Sequence, residues 1–588
     1  MRRDPWIAVV ALVSLATATA VLHAQHGFTV DDAFITYRYA DNLAHGHGWV
    51  YDQHRHTADA ATAPLYTALV AALELVLRSA PRAGSFLFVA CSAATSTLAY
   101  ALLSRRGFRI GGVAAAALIV TSPWLAATRG METAFFGLLT LATVYAYERR
   151  WLFTAGLAVA ALTFTRGDGG LLAVIVFAVI VAETRRIPWR YLAGGVAVAV
   201  PWIVFASTVI GTVIPDTLGA KTAQGRSGYW GHGLLYLRGA VDIPQKFGFA
   251  AWAAIVGALG LAGFATLAVR RQHPSALAIP VGFGAALFAA YAFVIDPPAY
   301  HWYYAAPLLS VLLLAGVAVD AIAMSAGRLA ARVRASPAAR RLTAGTAAAL
   351  VIAPAGIGFH DVLAHLGPVS YVTTGTWLAA NTPPTASVAA TEIGILGWYG
   401  RRDMVDYLGL LSKPAADDLR HHDLTAWITR EQPDYWVVHA PPDWPFEWPA
   451  ESQSWFTTAY EPAYAGDGLV VWKRARPIAE ARRIETDVLD PIAKQLAATL
   501  GYHDRDAVPA LDALLSAYAT RPGLRDHFGG LAATNVHALL RWAWLTGSTS
   551  DPEAPALSTH QARYAAMAQA SLRRGPMPLT ALAALSAH

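Results

Sequence analysis

Long stretches almost without charge recur along this chain, and they decide which solvent it folds in. WIAVVALVSLATATAVLHA, residues 6–24, holds one histidine and no other ionisable side chain. A run of roughly 20 apolar residues crosses the hydrocarbon core of a bilayer as a helix, because a helix satisfies its own backbone where no water is present. Eleven such runs are read as spans: 6–25, 84–104, 110–127, 132–148, 151–166, 169–184, 190–212, 248–269, 275–295, 302–323 and 341–360. The run 63–77, APLYTALVAALELVL, is shorter and contains Glu74, so it is read as an interfacial or re-entrant helix. Of 588 residues, 55% are hydrophobic and 14% charged, whereas soluble domains carry about 25% charged residues. The chain is therefore expected to be a polytopic α-helical membrane protein. Residues 1–24 also have the outline of a secretory signal peptide; the chain is polytopic under either reading.

Charge supplies the orientation. Short cytoplasmic loops collect Lys and Arg. With the N-terminus inside, those loops hold Arg2-Arg3, Arg105-Arg106, Arg149-Arg150, Arg185-Arg186, Arg270-Arg271 and the segment from Arg328 to Arg341. Every Arg doublet before residue 345 then lies on one side, and counting 63–77 as a span would reverse most of them. The expected location is the cytoplasmic (inner) membrane, with three parts outside: the loop 26–83, the loop 213–247 and everything after 361. The expected domains are a transmembrane domain 1–361, an extracytoplasmic α/β domain 362–475 and an extracytoplasmic helical domain 476–588. In the α/β part, SVAATEIGILGWYG and MVDYLGLL read as strand and turn pieces, PDYWVVHA as a buried strand and GLVVWKRA as an edge strand.

Several function classes are excluded. The formal charge of +6 gathers in no basic run interleaved with aromatics, so no nucleic-acid partner is expected. Cys91 is the single cysteine, which removes intramolecular disulfides and cysteine-ligated zinc. Among the histidines of the first loop, His45, His47, His54 and His56 fit no standard zinc spacing. A complete Gly-rich nucleotide fingerprint is missing as well.

The first loop opens with TVDDAFITYRYADNLAHGHGWVYD, residues 29–52. Phe34, Tyr37, Arg38 and Asp41 have helical spacing, and Gly46 or Gly48 supplies a stop. Asp31 and Asp32 fall at the helix start, where the dipole favours negative charge and one carboxylate is expected to cap free N–H groups. Adjacent positions diverge by about 100° around a helix, so the other points elsewhere. The loop beyond holds groups suited to sugars and phosphates, among them Arg38, Trp49 and Tyr51. A carboxylate at a membrane surface is able to act as general base toward a hydroxyl.

This segment resembles the first outer loop of membrane glycosyltransferases of the GT-C fold that use polyprenyl-phosphate sugars. SPWLAATRGMETAFFGLLTLA resembles the stretch these proteins often write as SGMET. FTRGDGGLL resembles their TRPDG turn, with Gly167 in place of proline. GTVIPDTLGAK resembles their PN-then-K loop, with Asp216 in place of Asn. TEIGILGWYGRRDMVDYLGLL resembles a strand-turn of their outer C-terminal domain. The resemblance covers residues 1 to about 475 and is nearest to arabinofuranosyltransferases of the mycobacterial type, although those of the arabinan pathway tend to follow the Asp pair with Gly-Leu-Ile where this chain has Ala-Phe-Ile.

The resemblance implies a polyprenyl-phosphate sugar donor and a glycan or glycoconjugate acceptor, which the outer C-terminal domain would help bind. Asp31 and Asp32 are the implied catalytic residues, Asp31 as base, with inversion at the anomeric carbon. Lys221, Arg226, His301, Arg38, Arg166 and Arg129 are the candidate cations for the donor phosphate, Lys221 foremost. Trp49, Tyr51, Trp302 and Tyr303 are the candidate sugar or acceptor contacts. A divalent cation (Mg2+, Mn2+ or Ca2+) at Asp31 and Asp32 is a further candidate; no cofactor is strictly required. A hexose donor such as mannose fits the same chemistry. A non-catalytic membrane scaffold and a transporter are the rivals from other classes. The transporter reading is disfavoured because the acids Glu132, Glu148, Asp168 and Asp320 fall at the ends of the expected spans.

Overall fold

A computed structural model describes residues 4–484 apart from 26–28, 56, 214–216, 271–274, 333–335, 348, 350–368, 441–443, 452 and 454, together with residue 486. The chain forms two compact units. One comprises Met1–Gln53 and Asp59–Gly367, the other His54–Ala58 and Pro368–His588.

The first unit is helical. Its helices are α1 (Trp6–Ala24), α2 (Asp31–Ala44), α3 (Pro64–Leu77), α4 (Ala80–Arg105), α5 (Arg109–Val120), α6 (Pro123–Ala126), α7 (Thr133–Glu148), α8 (Leu152–Thr165), α9 (Gly169–Thr184), α10 (Trp189–Phe205), α11 (Thr217–Arg226), α12 (Leu235–Lys246), α13 (Ala250–Val269), α14 (Ser275–Ala290) and α15 (Ala305–Arg332). Wider π turns extend α10 over Ala206–Ile210 and α14 over Tyr291–Ile295, and a 3-10 turn, His301–Tyr304, leads into α15.

Seven helical segments among the described residues are long and apolar enough to cross a membrane: Trp6–Ala24, Ala80–Arg105, Arg109–Ala126, Trp189–Ile210, Ala250–Val269, Leu277–Ile295 and His301–Arg332. Three other expected spans form helices of 16, 14 and 16 residues, α7 to α9, or about 21–24 Å at 1.5 Å per residue. The run 63–77 forms the 14-residue α3. The eleventh expected span, 341–360, lies largely outside the described residues.

Burial sorts the spans. α1 leaves Trp6, Val9, Leu12 and Val13 exposed, and α10 leaves Val196, Val200 and Val204 exposed, which is the composition of a lipid-facing surface. α15 is the central rod: Leu312, Leu313, Ala315 and Val317 are fully buried against a core that also takes Leu103, Leu118 and Phe283. α5 and α15 approach closely at Gly111 and Gly316, where a Cβ on either would strike the other's carbonyl oxygen. Small residues allow such contacts in membrane helix pairs.

Asp320 departs from the expected place at a span end. α15 continues to Arg332, so Asp320 lies within the helix and is buried. Its carboxylate accepts the Gly111 N–H at 3.1 Å, meeting the N-terminal turn of α5, where free N–H groups and the dipole favour an anion.

The second unit contains a five-stranded sheet in the order β2-β1-β3-β5-β4. The strands are β1 (Ser387–Ala390), β2 (Asp403–Asp406), β3 (Tyr435–His439), β4 (Tyr460–Gly466) and β5 (Leu469–Arg474). β1 pairs in parallel with β2 and β3, while β5 is antiparallel to both β3 and β4. GLVVWKRA was expected at an edge; instead β5 is internal, and Leu469, Val470, Val471 and Trp472 are buried. The edge on that side is β4, whose pairing slips between Pro462 and Tyr464. Proline cannot donate to a ladder and is tolerated there. Of SVAATEIGILGWYG only SVAA is a strand; Ile393–Gly400 is a helix. His54–Ala58 belongs to this unit: the Ala58 N–H donates to Leu411 O at 2.8 Å, and Arg55 pairs with Glu431. Beyond Ile484 and residue 486, the helical tail expected over 476–588 lies outside the described residues.

Candidate functional site

α2 runs from Asp31 to Ala44 with Val30 as its extended N-cap, so neither aspartate occupies the capping position. Both acids stand in the first turn instead, where the dipole still favours their charge. The rest of the helix is enclosed, with Ala33, Phe34, Ile35, Tyr37, Tyr39 and Ala40 buried. Asp31, Asp32, Arg38, Asp41, Leu43 and Ala44 are its partly exposed positions.

Gly130, the glycine of the RGMET segment, explains how α2 gets so close to its neighbours. Its φ is +89°, a left-handed backbone that glycine adopts readily, and a Cβ there would strike Ala33 Cβ, Thr29 Cγ2 and the Tyr37 hydroxyl. The Gly130 carbonyl accepts the Tyr66 hydroxyl at 3.1 Å. Beside it, Arg129 donates to Ser85 Oγ at 3.1 Å through Nη2, whereas its Nε and Nη1 are buried without a hydrogen-bond partner. Burial lowers the basicity of this guanidinium. A half-buried cation with two enclosed nitrogens so poorly supplied with acceptors is costly and favours an anion at its side.

The first turn of α2 meets α11 and the turn before α15. Lys221 Nζ lies 4.0 Å from Asp32 Oδ2 and 4.3 Å from the centroid of the Tyr300 ring. Tyr300 stacks on Trp302 at 4.7 Å with planes 7° apart. A mostly buried ammonium is thus held between a carboxylate and an aromatic face, a cation–π arrangement. Tyr303 joins the group through electrostatic contact with Lys221, Arg166 and Asp32. Asp31 lies within electrostatic reach of Tyr51, whose phenol is pushed up by burial foremost.

Arg166 is enclosed differently. It takes Asp168 through two nitrogens at 3.3 and 2.8 Å, Glu132 at 3.2 Å and Trp302 O at 3.0 Å. Tyr291 donates to Asp168 Oδ2 at 2.8 Å. The RGMET and TRGDG segments therefore meet through Glu132 and Arg166, and together they hold the turn that carries Tyr300 and Trp302.

The remaining candidates are engaged elsewhere. Arg38 pairs with Asp52 at 2.7 Å, donates to Tyr51 O at 2.8 Å and lies 4.5 Å over the Tyr51 ring. Asn42 donates to Val50 O at 2.8 Å and Tyr51 O at 3.0 Å, and accepts Gln53 Nε2 at 2.8 Å. These bonds fasten the loop to α2. Trp49 is buried, gives its indole N–H to Asp59 at 3.1 Å and packs on Tyr39 and Phe205, and Tyr51 is fully buried. His301 is half-buried against Phe247, and its carbonyl accepts Trp124 Nε1 at 2.9 Å. Arg226 is exposed at the last residue of α11.

Sequence reasoning did not single out Tyr300, although it lies within the aromatic turn DPPAYHWYY, nor the pairing of Glu132 with Arg166. At the Asp pair itself, Lys221 supplies a positive charge beside Asp32.

A family model described as a domain of unknown function (DUF8728) matches residues 364–477. No curated protein matches the sequence. In three dimensions the chain is similar to ArnT from Cupriavidus metallidurans bound to undecaprenyl phosphate, at 14% identity and TM-score 0.55, over 80% of this chain and 98% of that one. The apo form of the same protein matches at 16% identity and TM-score 0.53, over 79% and 97%. The archaeal oligosaccharyltransferase AglB from Archaeoglobus fulgidus, in complex with an inhibitory peptide and a dolichol-phosphate, matches at 13% identity and TM-score 0.51, over 80% and 74%. At such identities the likeness is one of fold. The chain has the GT-C fold, as a multi-pass helical membrane protein with a C-terminal sheet-containing domain.

Proposed function

We propose that the chain is an inverting glycosyltransferase that moves a sugar, in the first instance a D-arabinofuranosyl residue, from a polyprenyl phosphate to a cell-envelope glycan or glycoconjugate. It has eleven spans, its N-terminus is cytoplasmic, and its site and C-terminal domain face outward from the inner membrane. The Arg doublets support that orientation. The fold shared with proteins solved with undecaprenyl phosphate and dolichol-phosphate supports a lipid-phosphate donor. The observation that carries the reading is the convergence of Asp32, Lys221 and the Tyr300–Trp302 stack at the first turn of α2.

The chemistry follows from that arrangement. Asp31 takes the proton of an acceptor hydroxyl as its oxygen attacks the anomeric carbon. The bond from that carbon to the phosphate oxygen breaks, its electron pair stays on oxygen, and polyprenyl phosphate leaves. One displacement with one base inverts the carbon. Asp32, held toward Lys221, orients the turn. Lys221 and Arg129 meet the charge that grows on the departing phosphate.

The test is a turnover assay of the purified chain with synthetic polyprenyl-phosphate arabinose and polyprenyl-phosphate mannose. The expected result is transfer from the arabinose donor, abolished in Asp31→Asn and Asp32→Asn while lipid binding persists. Transfer from mannose alone would replace the pentose assignment. Retained biological function in both variants would support the scaffold instead.

A further inference from the structure

The far end of α2 carries a second cluster. Asp41 lies in the last turn of α2, His45 is its C-cap residue, and Glu74 lies in the last turn of α3. One ligand-capable atom from each falls within 4.8 Å of the other two. Asp41 and His45 are one helical turn apart, with His45 Nδ1 at 2.8 Å from Asp41 O and 3.5 Å from Asp41 Oδ1.

Glu74 makes the cluster more than a group of acids. The residue is 4% exposed. Its Oε1 accepts the Ala80 N–H at 2.9 Å; its buried Oε2 receives no N–H or O–H donor, and the side chain lies within hydrogen-bond reach of the Asp41 carboxylate. Two helix C-termini also converge here, each with the negative end of its dipole, and neither last turn contains a basic residue. A carboxylate in such a place is disfavoured, and a cation is favoured. His45 is 61% exposed in its side chain, so the cluster opens to water on one side.

We propose that Asp41, His45 and Glu74 bind a divalent cation that ties the C-terminal ends of α2 and α3 together. One imidazole with two carboxylates suits Zn2+ first and Mn2+ next, with water completing the coordination on the exposed side. The cluster is ten residues along the helix from Asp31, or about 15 Å at 1.5 Å per residue. The ion therefore touches no reacting group; it fixes the helix that presents the Asp pair. The inference does not depend on which sugar is moved, nor on whether any is.

The test uses the tag-free full chain in detergent, stripped with a chelator and titrated with Zn2+ by calorimetry, then with Co2+ followed by its visible spectrum. The expected result is one tight Zn2+ per chain, weakened at least about tenfold in Asp41→Asn, His45→Ala and Glu74→Gln. Zn2+ should raise the melting temperature of the wild type and leave that of His45→Ala unchanged. Because the His45 ring is mostly exposed, that variant folds even where Glu74→Gln does not. Absence of Zn2+ and Mn2+ binding, or equal affinity in His45→Ala, would overturn the proposal and leave a proton shared between the two carboxyls as the explanation.

Discussion

Two ion clusters of the first unit lie within the same network and are built on opposite terms. Around Arg166 the hydrogen bonds are short: two carboxylates and a carbonyl accept from a guanidinium that is 7% exposed, and Tyr291 donates to one of those carboxylates, Asp168. Around Lys221 the ion pair with Asp32 is 4.0 Å long, the Tyr300 ring supplies a face rather than an acceptor, and Asp32 is 26% exposed. A saturated cluster has no capacity left for a substrate, and breaking it leaves a buried charge unpaired. A loosely held pair is able to exchange one partner for an incoming anion. On the proposed function, the first cluster serves the architecture and the second the chemistry.

Substitutions should separate the two. The largest effect is expected for Asp31→Asn: loss of the general base should cut turnover by roughly 10²–10⁴-fold, with the melting temperature unchanged. Replacing Lys221 by Ala should cost about 10²-fold in turnover with lipid-phosphate donors, and Lys221→Arg should recover part of it. For Arg166→Met the order inverts, because stability falls by about 3–5 kcal/mol as Glu132 and Asp168 lose their shared counter-charge. Thermal unfolding in detergent would read this, and unchanged stability would remove the architectural assignment.

The smallest effect lies in the second unit. Desolvation opposes the charge of Asp434, but the Ser387 N–H and hydroxyl and Arg474 outweigh it, holding the carboxyl below the usual range. A carboxyl depressed on folding contributes stability above its unfolded pKa and loses that contribution as the pH falls through its folded one. Asp434→Asn should therefore cost about 1 kcal/mol near neutral pH, and the gap from wild type should close toward pH 3.

What could be read from the sequence follows the range of the forces involved. α2 was legible because its spacing, its acidic first turn and its glycine stop are local: the helix ends at Ala44 and Gly46 takes φ +81°. The apolar runs were legible because the solvent imposes them residue by residue. β4 was hidden, since Pro462 and Gly466 resemble loop chemistry until an edge position excuses them. Arg38 reads as a candidate cation for the donor phosphate because nothing local announces that Asp52 and Tyr51 enclose it. The meeting of Lys221 with Asp32, like that of Glu74 with Asp41, depends on how whole helices stack, and no window of sequence contains that.

The ties from Arg38 and Asn42 to residues 50–53 have a mechanical consequence. Helix and loop are cross-linked at several backbone and side-chain points, so they cannot pivot separately, and the segment behaves as one stiff lever with its acids at the tip. A disturbance at Trp49 or Asp52, remote from any reacting atom, would be delivered to Asp31 as a displacement, and the alignment of the acids would record it before any loss of folding did.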